Sequence, residues 1–350
     1  MEDVKKIDKR MSADTTVSDG ILFRNVLEKP FEIYGLMQND ETGFCRLPLD
    51  VAKEVSKGVY GLAPNTAGGR VRFSTDSDVV TLKIELYGLT KFDHMAAIGV
   101  HGFDLFEDDG GEGIFVGSFR VPHIEDNKYT SSISLKTRKM RNLTINFPLY
   151  NGVKSLEIGL REDASLGEGE KYRDMKPIIY YGSSITQGGC ACRPGNSYQS
   201  IIARKNHIDY VNLGFSGSAK GEQRMAEYIA GLDMSLFFYD YDHNAPDAQY
   251  LKATHYDFYE TIRKSNPDLP IVMVSAVNKM HDIPERKAVI YSSYEKALKN
   301  GDKNVYFIDG QEAFGDADRD CCTVDNCHPN DLGFQRMAAL FGKNIDRILG

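Results

Sequence analysis

Hydrophobic and polar positions fall into two regimes along this chain. From about residue 20 to 160, short β-forming runs are separated by Gly, Asp and Asn clusters such as Asp108-Asp109-Gly110-Gly111 and Asn151-Gly152. The runs are Val79–Tyr87, Ala97–Phe106, Ile114–Val121, Leu143–Phe147 and Val153–Leu160. Short strands at this spacing predict an all-β sandwich or jelly roll. Beyond residue 176 the pattern alternates between apolar strands and amphipathic helices. The strands are Ile178–Tyr181, Tyr210–Phe215, Leu236–Tyr241, Ile271–Val277 and Val305–Ile308. Helices are predicted over Ala248–Lys264, Pro284–Lys299 and about Asp331–Leu349. Such alternation implies a parallel sheet with helices on both faces. The polar, Gly-containing stretch Glu162–Lys176 reads as the linker, giving a sandwich over residues 1–165, a linker over 166–176 and an α/β domain over 177–350.

Composition narrows the function classes. At 350 residues, 41% hydrophobic and 26% charged, the chain can bury large cores. A net charge of -8 argues against a nucleic-acid partner, which would demand a basic face. No apolar run approaches the roughly 20 residues that span a bilayer. The start, Met1-Glu2-Asp3-Val4-Lys5-Lys6-Ile7-Asp8, has no apolar signal core, so a cytoplasmic location is expected. The six cysteines match no zinc spacing and are expected as reduced thiols, with no metal and no cofactor.

The candidate chemistry sits where strands end. Ile178-Ile179-Tyr180-Tyr181 suits a strand buried on both faces, and it runs into Gly182-Ser183-Ser184 and then a Gly-rich turn. A serine there borders the crevice at the carboxyl ends of a parallel sheet. Near the other end, Asp325-Asn326-Cys327-His328 supplies a base and its orienting carboxylate from one turn. Lone histidines elsewhere, His243 and His281, are more simply structural, because a triad needs one base.

Together these stretches resemble the SGNH/GDSL hydrolase superfamily. That resemblance implies a flavodoxin-like five-stranded catalytic domain over 177–350 and assigns Ser184 as nucleophile, with Ser183 the competing assignment. It makes His328 the general base and Asp325 its orienting carboxylate. Asn212-Leu213-Gly214-Phe215-Ser216-Gly217 and Asp242-His243-Asn244 resemble two further blocks of that family. They imply an oxyanion hole from the Ser184 N–H, the Gly217 N–H and the Asn244 side chain. His101-Gly102-Phe103-Asp104-Leu105-Phe106 resembles the Gly-x-Asp-Leu-Tyr element of a β-rich domain found before some SGNH esterases, with Phe106 in place of Tyr.

The implied activity is a serine esterase that removes a small acyl group, acetyl above all, from a carbohydrate through an acyl-enzyme. The alternatives are lipase-like or thioesterase action on longer acyl chains, or a carbohydrate-binding protein with a silent hydrolase domain. The expected partner is a small-molecule or oligosaccharide ester, with no nucleic acid and no membrane; a homo-oligomer is compatible with the sequence.

Overall fold

The computed structural model describes residues 8, 12–122, 125–278 and 283–350. Two compact units emerge, and each is built from separate stretches of chain. One unit comprises the described residues up to Phe44, with Pro64–Lys171 and Cys192–Gly195. The other comprises Cys45–Ala63, Tyr172–Ala191 and Asn196–Gly350.

The first unit is a β-sandwich. One antiparallel sheet has the order β1 (Ile21–Asn25), β11 (Val153–Arg161), β6 (Val79–Leu86), β9 (Lys128–Ser134). The other runs β12 (Leu166–Glu168), β5 (Arg70–Thr75), β10 (Arg141–Asn146), β7 (Phe103–Asp108), β8 (Ile114–Phe119), with β2 (Glu32–Tyr34) also on β5. Beside them, β3 (Met37–Asn39) pairs β4 (Gly43–Cys45). Alternate residues of each sheet enter one core: Val80, Leu82, Ile84 and Leu86 from one side, and Val71, Phe73, Leu143 and Ile145 from the other.

Two local expectations change. Residues 97–101, expected at the start of a strand, form a short helix, Ala97–His101, and the strand begins at Phe103. Alternation over five residues does not separate a helical turn from a strand. Residues 166–168, expected in the linker, form β12 and pair with Phe73–Thr75.

The second unit is a parallel sheet of order β14-β13-β15-β16-β17. Its strands are β13 (Ile178–Gly182), β14 (Tyr210–Gly214), β15 (Leu236–Asp240), β16 (Ile271–Val274) and β17 (Val305–Ile308). This is a flavodoxin-like order, with the switch point between β13 and β15. Both faces are covered, which is why every residue of β13, β15 and β16 is buried.

On one face Ile179, Tyr181, Phe237, Tyr239 and Met273 join a core shared with α1 (Leu49–Val55) and α2 (Lys57–Leu62). On the other, Tyr180 and Phe238 meet Tyr198 of α4 (Tyr198–Asn206) and Phe341 of α8 (Asp331–Leu349). Between α4 and α8 come α5 (Gln223–Ala230), α6 (Ala248–Ser265) and α7 (Ile283–Lys299), and α3 (Ser184–Gln187) follows β13 directly. Among the described residues no helix is long and apolar enough to cross a membrane.

Candidate active site

The turn from β13 into α3 presents Ser184. Ser183 caps α3 by accepting from the Ile185 N–H at 3.2 Å, and it is buried. Its hydroxyl is committed to the backbone, while Ser184 is partly accessible. Of the two serines, only Ser184 leaves its hydroxyl partly accessible.

Gly182 is needed for close approach. A Cβ there would lie 1.8 Å from Asp240 Oδ1 and 2.2 Å from Thr186 Oγ1. The Thr186 hydroxyl donates to the Asp240 carboxylate across that gap. Burial pushes the Asp240 carboxyl well up, against the opposing effect of the Thr186 hydrogen bond.

His328 and Asp325 arrive on the turn before α8. Ser184 Oγ lies 3.0 Å from His328 Nε2. On the other side of the ring, His328 Nδ1 lies 2.8 Å from Asp325 Oδ2. Asp325 Oδ1 accepts from the N–H groups of His328 at 2.7 Å and Cys327 at 3.0 Å. Partial burial alone would raise the Asp325 carboxyl. The hydrogen bonds from the His328 ring and from these two N–H groups outweigh it and hold the carboxyl below the usual range. The turn is braced by Asn278, whose Nδ2 donates to Cys327 O at 2.9 Å.

Two further loops follow β14 and β15. Asn244 Nδ2 donates to Phe215 O at 2.9 Å, and Asn244 Oδ1 accepts from the Gly217 N–H at 3.1 Å. These two partners fix which end of the amide is which, because the reversed amide would set donor against donor. The structure thus joins Gly217 to Asn244, but with the Gly217 N–H directed at Asn244 Oδ1. One Asn244 N–H is taken by Phe215 O, and the second proton of Nδ2 extends from the same nitrogen. Ser216 N–H donates to Gln187 Oε1 at 3.0 Å, tying this loop to α3.

Asp104, of the Gly-x-Asp element, is buried in the first unit and accepts from Asn146 Nδ2, Arg193 Nη1 and the Gly195 N–H at 2.8–2.9 Å. His101 is buried, with Nδ1 2.8 Å from Asn151 Nδ2. His281 lies outside the described residues. Sequence reasoning passed over Asn278, which lies outside the motif blocks and signals nothing by spacing.

The strand order and the family matches are those of an ester-hydrolysing enzyme of the SGNH type. Residues 175–346 match the GDSL-like Lipase/Acylhydrolase family, and residues 21–166 match the family described as the N-terminus of Esterase_SGNH_hydro-type. No curated protein matches by sequence. A protein from Bacteroides ovatus, described as a GDSL-like lipase, is 28% identical with a TM-score of 0.86, over 94% of this chain and 98% of its own. The salicylyl-acyltransferase SsfX3 of a tetracycline biosynthetic pathway shares the fold at 18% identity and TM-score 0.77, over 95% of this chain and 98% of its own. A family two carbohydrate esterase from Clostridium thermocellum, solved in complex with cellohexaose, shares it at 16% identity and TM-score 0.62, over 91% of this chain and 99% of its own.

Proposed function

We propose that Ser184, His328 and Asp325 form the catalytic triad of a carbohydrate esterase that removes small acyl groups, acetyl above all. The observation that carries this is the unbroken line of Ser184 Oγ, His328 Nε2, His328 Nδ1 and Asp325 Oδ2, with steps of 3.0 and 2.8 Å between side chains. His328 Nε2 takes the Ser184 proton as Oγ attacks the ester carbonyl. The tetrahedral intermediate collapses, the C–O bond to the sugar breaks, and His328 returns the proton to the leaving alcohol. Water then repeats the sequence on the acyl-enzyme, releasing the carboxylic acid and free Ser184. Asp325 holds the imidazole with Nδ1–H facing its carboxylate and stabilises the imidazolium.

The oxyanion receives donors from the Ser184 N–H and Asn244 Nδ2. The Gly217 N–H, the third donor that the resemblance implies, is directed at Asn244 Oδ1 and orients that amide.

The sugar preference rests on pairing a β-sandwich with this catalytic unit and on the fold shared with the carbohydrate esterase. The test is acetate release from acetylated mono- and oligosaccharides beside p-nitrophenyl esters of rising chain length. Highest kcat/KM is expected on the acetylated oligosaccharides. Preference for chains of eight carbons or more would replace this reading with a lipase-like one.

A further inference from the structure

We infer that Arg46, about 140 residues before the nucleophile, is a positioning residue for the oxyanion loop; the inference rests on the triad reading above. Arg46 belongs to Cys45–Ala63, the stretch that the second unit takes from the first half of the chain. Its side chain is 2% exposed. Burying a guanidinium is costly unless its N–H groups are satisfied, so its partners show what the burial achieves.

Two of those partners lie at one strand end. Arg46 Nη1 donates to Asn212 O at 3.2 Å and also to Gly214 O. Arg46 Nη2 donates to Leu62 O at 2.8 Å. The guanidinium carbon lies 4.5 Å from the centre of the Phe215 ring. β14 is an edge strand, so carbonyls on its outer side have no neighbouring strand to accept from. Arg46 supplies donors to two of them at the carboxyl end of the strand. From there the chain enters Phe215-Ser216-Gly217.

The next link is the oxyanion group itself. Phe215 O accepts from Asn244 Nδ2, and the Gly217 N–H donates to Asn244 Oδ1. Arg46 therefore holds the Gly214 carbonyl, in the peptide that leads into Phe215, and the Phe215 ring, beside the carbonyl to which Asn244 is anchored. It touches no reacting atom and acts through Phe215. A planar fork that sets one nitrogen on two carbonyls of the strand and the other on Leu62 O, while its carbon lies over the Phe215 ring, suits this task. A lysine concentrates its donors on one compact centre and lacks the flat second arm that reaches Leu62 O from over the ring.

The test uses full-length Arg46→Ala, Arg46→Lys, Asn244→Ala and the Arg46→Ala/Asn244→Ala pair on p-nitrophenyl acetate. Rates are counted per fluorophosphonate-titrated site, so unfolded molecules do not enter. Arg46→Ala is expected to lower kcat about tenfold or more, within the roughly 10²–10³ of a lost oxyanion donor, with KM changed less than about threefold. Guanidinium ion at millimolar concentration should restore part of that loss. The pair should be slower than Asn244→Ala alone by no more than about twofold, because both changes disable one device.

Unchanged kcat per titrated site in Arg46→Ala overturns the inference. So do additive losses in the pair, or a loss in Arg46→Ala when Asn244→Ala is without effect. If Arg46→Ala does not fold, Arg46→Lys, alone and paired with Asn244→Ala, is judged by the same non-additivity. Failure of the triad reading shows separately, as hydrolysis that survives in Ser184→Ala.

Discussion

At the residue scale, each side chain of the cluster does one thing that its neighbours cannot. Ser183 caps α3 and Ser184 faces His328, so adjacent identical residues divide structure from chemistry. Asn244→Ala should lower kcat about 10²–10³-fold and leave KM comparatively unchanged, since the donor meets charge that appears only in the transition state. Steady-state kinetics on a p-nitrophenyl ester checks this, and a normal kcat would remove Asn244 from the oxyanion hole. A second prediction concerns His255, buried and stacked on Tyr239 at 4.7 Å and Tyr241 at 5.8 Å. Burial drives its pKa down to about 3. Below about pH 6.5 the unfolded chain binds a proton that the folded chain refuses, so stability falls as pH drops from there toward 3. His255→Phe keeps the stack and removes the titration. Between pH 6.5 and 5.5 the parent should lose about 1 kcal/mol more than this variant in urea unfolding. Equal losses would contradict a neutral buried imidazole.

At the element scale, function depends on how closely the ends of β13 and β14 approach. A Cβ on Gly214 would lie 2.2 Å from Gln187 N and 2.6 Å from Thr186 C, both backbone atoms of α3. Gly214→Ala should therefore push α3 outward, costing about 1–3 kcal/mol of stability. Fluorophosphonate labelling of Ser184 should slow in proportion. A variant with unchanged melting temperature and labelling rate would contradict this packing. The five parallel strands were legible in the sequence because doubly covered strands read as near-continuous apolar runs. Ser184 stands out because it follows an apolar run, and Asp325 and His328 because they share one turn; Gly217 and Asn244 come forward only through the resemblance, and the structure brings Ser184, His328 and Asp325 within hydrogen-bond distance of one another. The helix Ala97–His101 was not legible, since five residues carry too little periodicity. Nor was the direction of the Gly217 N–H, which is set by a partner 27 residues away in sequence. Arg46 stayed hidden because a buried arginine bound to carbonyls has no sequence signature.

At the scale of the whole molecule, a single linker over 166–176 does not separate the two compact units. Leu47, Val51, Ala52, Val59 and Ala63 enter the core of the second unit beside Tyr181, Leu213 and Phe215. The sequence places residues 1–165 in the sandwich, whereas Cys45–Ala63, with α1 and α2, belongs to the second unit, and only tertiary burial reveals that place. A fragment of residues 172–350 should thus lack one wall of its core. It should bind a hydrophobic dye and unfold at lower urea than the full chain, or fail to fold; a fragment as stable as the parent would show that α1 and α2 are dispensable. The central claim, that this molecule hydrolyses esters through Ser184, is tested most directly by fluorophosphonate labelling with mass spectrometry of the digested protein. One adduct per chain, on the peptide bearing Ser184, is predicted, with label and hydrolysis both lost in Ser184→Ala. An adduct on another residue, or hydrolysis that persists in Ser184→Ala, would contradict it.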